Sequence, residues 1–486
     1  MLQYGEYKPD IADYEGQSTK NILNVLPQGD GYGPFQAFTT YSQALPDVCR
    51  GGFYALKPDG TIATFAGTET KLYLLDNTTF EWTDVSLAGD YTALNPAAQW
   101  RFVQFNSLIV AVQANANPQV FDLGSSVAFA DLAGSPPQAA YADIVGRFIV
   151  LSGLTSNPTR IQWSGLNDIN GTDSWTPGVN SSDFQDLPDG GIVRGVAGGE
   201  FGTIFQDQAI RRMSYLPGSP LIFQIERVTQ DQGCYAPYSI VRAGQTIYFY
   251  SAKGFYKIEP GSLPVQIGRE RVDRTFFNDL DKSNLQLFMG AADPRSTRVF
   301  WAYKSTNGSD AAYDKILGYD GALDRFFPLM MSGEYLLGIS QTGQTLEGLD
   351  AMSASLDAMS ASLDSYATSV TPEISQFSVN VLGFFRGSSL EATMETPEQG
   401  TDGKRIRLRG FRPVTDAQSV FGSASFRETQ RIAPTSLPEV AINQRTGRCD
   451  FQKSTRYTRM KTRIPAGDPW TFSAGVEPDL VTEGYL

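Results

Sequence analysis

Three features of the 486-residue sequence predict an all-β fold. Short runs rich in Val, Ile, Phe, Tyr and Thr alternate with polar positions, as in Thr246-Ile247-Tyr248-Phe249-Tyr250. Turn-forming residues separate these runs, Gly (47) being abundant. Groups of three or four such runs recur every ~35–45 residues, the length of one propeller blade. Together they predict a β-propeller of roughly six to seven blades, with an N-terminal arm and a smaller C-terminal β domain. An array of β-sandwiches is the rival arrangement of the same strands.

The elements follow in order. Residues 1–50 hold Pro9, Gly16, Pro27, Gly29, Gly31, Gly33, Pro34 and Pro46, and read as an extended arm with little core of its own. The propeller is expected over 51–345, as windows 51–86, 100–132, 141–175, 191–228, 233–268 and 285–329. A seventh blade would be completed by 333–346 or by the N-terminal arm. Residues 346–369 form an insert repeating every seven residues. Leu349, Leu356 and Leu363 share one position, and Met352, Met359 and Tyr366 stand three later. That stripe fits a short amphipathic helix, which is marginal alone, or an ordered loop. After Pro372 the β texture returns, and 370–486 reads as a separate C-terminal β domain.

Composition narrows the function. Hydrophobic residues make up 41% of the chain, enough for a sizeable core, and charged residues only 19%. With His 0, catalytic triads, imidazole acid–base work and His-ligated metals are excluded. Cys49, Cys234 and Cys449 are widely spaced, which excludes a zinc ribbon and a disulfide framework and suits isolated thiols in a reducing compartment. The charged opening lacks the apolar stretch of a signal peptide, and no run approaches the ~20 apolar residues of a membrane span. A soluble protein made in a cytoplasm is expected. No catalytic residue, cofactor site or metal site is predicted. Asp168 to Trp175 has the wrong spacing for a sialidase-type Asp box and reads as a blade-edge turn around a packed Trp. The glycines at 195–202 lack the order of a dinucleotide loop.

Charge is unevenly spread. The net charge is −13, yet residues 404–463 carry 14 basic and 4 acidic side chains. An acidic protein is a poor free nucleic-acid binder, but one confined basic surface remains. In Lys404-Arg405-Ile406-Arg407-Leu408-Arg409, a strand period of two puts Arg405, Arg407 and Arg409 on one face. The stretch from Tyr457 to Ile464 does the same with Arg459, Lys461 and Arg463. These six residues are the candidate site. They would face phosphates without reading sequence, or pair with acidic surfaces of this chain or of the next subunit.

Several stretches resemble one family. Tyr4-Gly5-Glu6-Tyr7-Lys8-Pro9-Asp10, Tyr32-Gly33-Pro34-Phe35 and the run from Phe65 to Tyr73 are similar to tail proteins of short-tailed double-stranded-DNA bacteriophages. So are Arg147-Phe148-Ile149-Val150-Leu151, Gln162-Trp163-Ser164-Gly165, Ala252-Lys253-Gly254-Phe255, the Ser-Leu-Asp repeats at 354–365, Arg456 to Arg459, Ile464 to Gly467, and Trp470. Members form the tail hub or nozzle, also described as packaged-DNA stabilisation proteins. The resemblance implies a structural virion protein, not an enzyme and without a cofactor, assembled in the bacterial host cytoplasm. It implies a propeller subunit in a hexameric ring below the portal and head–tail adaptor. That ring extends the DNA channel, retains packaged double-stranded DNA, conducts it at ejection, and meets tail fibres, spikes or a needle. The alternative is a carbohydrate-active or carbohydrate-binding propeller, a depolymerase or receptor-binding protein. The missing Asp boxes and the basic β domain favour the first.

Overall fold

The computed structural model describes residues 1–12, 18–219, 221–309, 312–340, 372–400 and 403–485. The amphipathic stripe expected at 346–369 lies outside the described residues.

Seven four-stranded antiparallel sheets form the propeller. Their innermost strands are Gly51–Leu56, Arg101–Phe105, Ala139–Val145, Val193–Ala197, Val241–Ala243, Met289–Ala292 and Tyr335–Ser340. The second strands carry apolar residues on both faces, because each blade is packed on both sides by its neighbours. Ile62–Gly67 is buried along its whole length, and Ile109, Val110, Phe148, Ile149, Val150 and Leu151 are fully shielded. Two-residue turns link first and second strands where the chain must enter the left-handed region. Asn106 (φ 55°) serves blade two, and Gly146 (φ 59°) serves blade three. The expected windows match the first six sheets except at blade three, whose outer strand Asp183–Asp186 lies beyond residue 175; the outer strands of blades four and six, Phe223–Thr229 and Arg325–Gly333, run past residues 228 and 329.

The seventh blade draws on both places the sequence suggested, and on more. Its strands are Tyr335–Ser340, Pro372–Ser378, Val381–Ser389 and, outermost, Gln36–Ala44 from the N-terminal arm. Phe385 pairs with Phe38, Phe384 with Thr39 and Gly383 with Thr40. A side chain at Gly383 would strike the Thr39 carbonyl and the Phe38 ring, so the two backbones meet only over glycine. The 370 boundary is therefore corrected: residues 372–389 belong to the propeller. Sequence reading missed this because blade seven is interrupted after its first strand.

The remaining strands build a two-sheet sandwich from both ends of the chain. One sheet runs Cys449–Thr455, Lys404–Thr415, Ser473–Tyr485, Gly31–Pro34, Val25–Gln28, with Leu2–Gln3 added on Ser473–Tyr485. The other contains Phe421–Arg427, Tyr457–Ile464, Ala392–Glu395 and Ile22–Leu23. Between them lie Tyr4, Val25, Tyr32, Phe411, Met460 and Val476. Tyr4 donates its hydroxyl to Thr462 at 2.8 Å, and Tyr32 to the Gly5 carbonyl at 2.9 Å. The arm thus has its core in the C-terminal domain.

The sandwich is fixed to the outer strand of blade six, Arg325–Gly333. Asn24, which turns the chain from one sheet to the other, donates its backbone N–H to Pro328 O (3.1 Å). Its side-chain oxygen accepts the Met330 N–H at 2.8 Å. Nearby, Asp10 accepts the N–H groups of Arg274 (2.8 Å) and Thr275 (2.9 Å), the first turn of the Asp273–Asp279 helix.

Asp273 is the pH-sensitive element of this region. Its carboxylate accepts Phe255 N–H (3.0 Å) and Gln266 Nε2 (2.9 Å), and it fills space that a Cβ on Gly254 or Gly268 would occupy. Burial raises its pKa from 3.8 to about 6. A raised carboxyl contributes stability below the unfolded value, and that contribution is lost as pH climbs through about 6. Asp273→Asn should therefore raise the melting temperature relative to the native chain more at pH 7.5 than at pH 4. Equal differences at the two pH values, read by thermal unfolding, would show that Asp273 does not titrate in this range.

Candidate functional site

The period-two reading of the basic strands holds in the structure. Arg405, Arg407 and Arg409 project from the outer face of their sheet while Leu408 and Phe411 enter the core. Arg459, Lys461 and Arg463 lie on the side opposite Met460, Thr462 and Ile464. The two triplets belong to different sheets of the sandwich, so they are two surfaces and not one.

On the first surface the guanidinium groups are interleaved with carboxylates of the flanking strand Ser473–Tyr485 and of the bend after Phe421–Arg427. Arg405 reaches Glu428 at 2.8 Å. Arg407 meets Gln452 at 2.9 Å and Glu483 at 3.4 Å, and Arg409 meets Asp479 at 3.3 Å. Arg448 adds contacts to Asp479 (2.9 Å) and Asp450 (2.7 Å). The side chains of Arg407 and Arg409 remain about half exposed, at 49% and 50%. Such exposed pairs contribute little to stability, ~0–1 kcal/mol each, and are screened by salt. Their effect is to hold the long side chains upright in a row.

The second surface is largely enclosed. Arg459 is buried between Glu395 (3.9 Å) and Glu398 (3.8 Å). Glu398 also receives both arms of Arg427, Nε at 2.7 Å and Nη2 at 2.5 Å, in a fork-to-fork pair with both side chains buried. Glu395 is raised by burial, opposed by the Asn21 hydrogen bond and the Arg459 and Lys461 charges. Arg463 bridges Glu391 and Glu439 at 3.0 Å each, its guanidinium stacked over Phe421 at 4.5 Å. Lys461 lines a cleft of about 570 Å³ between sandwich and propeller, with Lys315, Asp279 and Tyr303 on the propeller side.

The partners of the basic rows are thus carboxylates of the same sandwich. Of the acidic surfaces the sequence left open, those of this chain or of the next subunit, these pairs use carboxylates of this chain. Glu398 and Glu395 were missed because they sit on short segments with no periodic signal.

The propeller's own axis is occupied. Gln99, which leads into blade two, donates its side-chain N–H to the Gln286 carbonyl at the entry to blade six, nearly opposite in the ring. The Gln99 backbone N–H donates to Tyr238 Oη at 2.9 Å. Tyr238 in turn packs edge-on against Tyr141 and lies under the Arg101 guanidinium, 4.8 Å from its ring centre. Side chains from three blades and the backbone leading into a fourth therefore meet in the middle.

No protein-family model matches the chain, and no curated protein matches it. Among solved structures, a quinonprotein alcohol dehydrogenase-like protein from Bacteroides thetaiotaomicron is similar at 12% identity and a TM-score of 0.36, over 58% of this chain and 66% of that one. PorZ, a bacterial surface component of the type-IX secretion system of Porphyromonas gingivalis, is similar at 10% identity and a TM-score of 0.36, over 75% of this chain and 43% of that one. The chain spans less than two thirds of the length of each. Likeness this remote does not bear on function, and the propeller assignment stands on the seven sheets themselves. Among the described residues no helix is long and apolar enough to cross a membrane.

The Arg427–Glu398 pair is the most vulnerable contact of the site. Glu398→Gln leaves two buried guanidinium groups with one carboxylate fewer, and should destabilise the sandwich by about 3–5 kcal/mol. Denaturant unfolding checks this; a loss below 1 kcal/mol would mean that water reaches the pair.

Proposed function

We propose that this chain is a structural virion protein, a subunit of the tail hub or nozzle ring of a short-tailed double-stranded-DNA bacteriophage. In this reading copies of the chain surround a channel below the portal and adaptor, which retains the packaged genome and then conducts it. The observation that carries the reading is the outer face bearing Arg405, Arg407 and Arg409. It presents half-exposed guanidinium groups at every second residue, each already partly balanced by a neighbouring carboxylate. Rows of that kind, ~6.5–7 Å between successive cations, attract phosphate without sequence preference. Partial balance keeps the grip weak enough for DNA to slide. The filled propeller axis supports the same picture from the other side, since any conduit must then run between copies. The sequence resemblance supplies the ring and its place in the particle.

The test is the triple variant Arg405→Gln, Arg407→Gln, Arg409→Gln in intact particles. Tails should assemble at normal yield, with the protein in a ring beneath the portal, while packaged DNA leaks or ejects at altered salt. If the row instead seals the seam between subunits, tails fail to form. Normal assembly with unchanged DNA retention refutes both roles, and imaging that put the protein in peripheral spikes would remove the hub assignment.

A further inference from the structure

The cleft of about 570 Å³ between sandwich and propeller combines apolar surface with lysines. Ile22 and Leu23 supply apolar surface from the sandwich, and Ile316, Leu329 and Met330 supply it from blade six. Met330 is 57% exposed although it lies within a blade strand. Lys20 and Lys461 line the cleft from the arm and the sandwich, and Lys315 from the propeller. All three lysines are half-buried.

Positive charge exceeds negative charge there. Among the described residues Asp279 is the one carboxylate in the lining, and it already accepts Lys315 Nζ (2.7 Å) and Tyr303 Oη (2.9 Å). Lys461 pairs across the ladder with Glu395, but that carboxylate accepts Asn21 and lies 3.9 Å from Arg459. Nζ of Lys461 makes no hydrogen bond or ion pair among the described residues. Tyr7 is the second open donor. A short parallel pairing sets it beside Thr19, next to Lys20, and its hydroxyl also has no hydrogen-bond partner among the described residues. Burial, helped by the charges of Asp10 and Asp279, pushes Tyr7 up to about 12, so the hydroxyl keeps its proton and can donate.

An ammonium and a hydroxyl left open in one cleft suit an acceptor that carries negative charge. Two features favour phosphate over carboxylate and an ester over the bare ion. No guanidinium lines the cleft among the described residues to fork a planar carboxylate, whereas lysines act as point charges on a tetrahedral anion. The volume lies within the ~300–1,000 Å³ of small-molecule sites, leaving room for an organic group on the apolar surface.

We propose that this cleft binds a phosphate monoester, with Nζ of Lys461 and Oη of Tyr7 donating to the phosphate, Lys20 and Lys315 adding positive charge, and the organic group lying on Ile22, Leu23 and Met330. The inference is independent of the virion reading and of the Arg405–Arg409 row. A nucleotide and a simpler phosphorylated compound share this chemistry.

The experiment is titration calorimetry of the full chain at constant ionic strength with phenyl phosphate and with adenosine 5′-monophosphate. Inorganic phosphate and adenosine are the controls. The expected result is saturable binding of an ester about tenfold tighter than inorganic phosphate, and no binding of adenosine. Lys461→Gln should weaken ester binding about tenfold, as loss of one hydrogen bond between charged groups does. Tyr7→Phe removes a hydroxyl with no partner to lose, so the melting temperature should hold while affinity falls by about the same factor. Arg407→Gln, on the open row, should leave binding unchanged. Binding of both esters admits a nucleotide, phenyl phosphate alone assigns a smaller organic group, and the nucleotide alone assigns a base to the apolar surface. The proposal is overturned if neither ester saturates, if neither exceeds inorganic phosphate, if either Lys461→Gln or Tyr7→Phe binds as the native chain does, or if Arg407→Gln abolishes binding.

Discussion

Closure of the seventh blade is the constraint from which the rest of the architecture follows. A ring of sheets has no edge along its circumference only if the last blade meets the first, and here the last blade borrows its outer strand from Gln36–Ala44. That pairing fixes where the chain enters the propeller. It leaves residues 1–34 emerging beside the chain that departs after Ser389. Two segments delivered to one place, each too short to bury its own apolar residues, then complete each other as a sandwich. Tyr4, Ile22, Val25 and Tyr32 from the start share a core with Met460, Ile464 and Val476 from the end. The docking on blade six follows from the same geometry, because Asn24 lies where the chain passes the exposed edge of Arg325–Gly333.

How the charged residues are placed follows from the sandwich. A sheet with one face in the core must send alternate residues outward, and the outward positions of Lys404–Thr415 are arginines. Adjacent strands supply Asp479, Glu483 and Asp450 at matching height. On the other sheet Glu395, on the strand paired beside Tyr457–Ile464, and Glu398, just past it, stand against Arg459, so its charges are drawn into a buried network. One sequence device, alternating basic residues, thus gives two different results: an open, weakly balanced row and a closed structural lock.

Much of the propeller was legible because its middle strands are continuous apolar runs punctuated by turns, the strongest signal a β protein writes into its sequence. The seventh blade was harder. Gln36–Ala44 is an outermost strand with few buried residues, and its partner lies more than three hundred positions away. The sandwich strands of the arm, Val25–Gln28 and Gly31–Pro34, are four residues each and carry proline and glycine, which read as turns. The two faces of the basic strands were legible from the period of two. Their ion partners were not, since Asp479 and Glu483 come from Ser473–Tyr485 and Glu428 from the bend after Phe421–Arg427, and only the folded arrangement brings them to the arginines.

The weaving of both ends into one sandwich has a consequence for biosynthesis. Blades one to six can form as the ribosome delivers them, each from contiguous sequence. The first 44 residues must wait, since their partners on Val381–Ser389, Ala392–Glu395 and Ser473–Tyr485 are made last. Throughout translation the nascent chain therefore carries an unpaired leading segment with Tyr4, Ile22, Val25 and Tyr32 uncovered. Loop closure over nearly the whole length makes this final step the slow one. Ring and sandwich lock together at the end of synthesis, so a truncated product lacks both the clasp of the propeller and the cover of its own N-terminus.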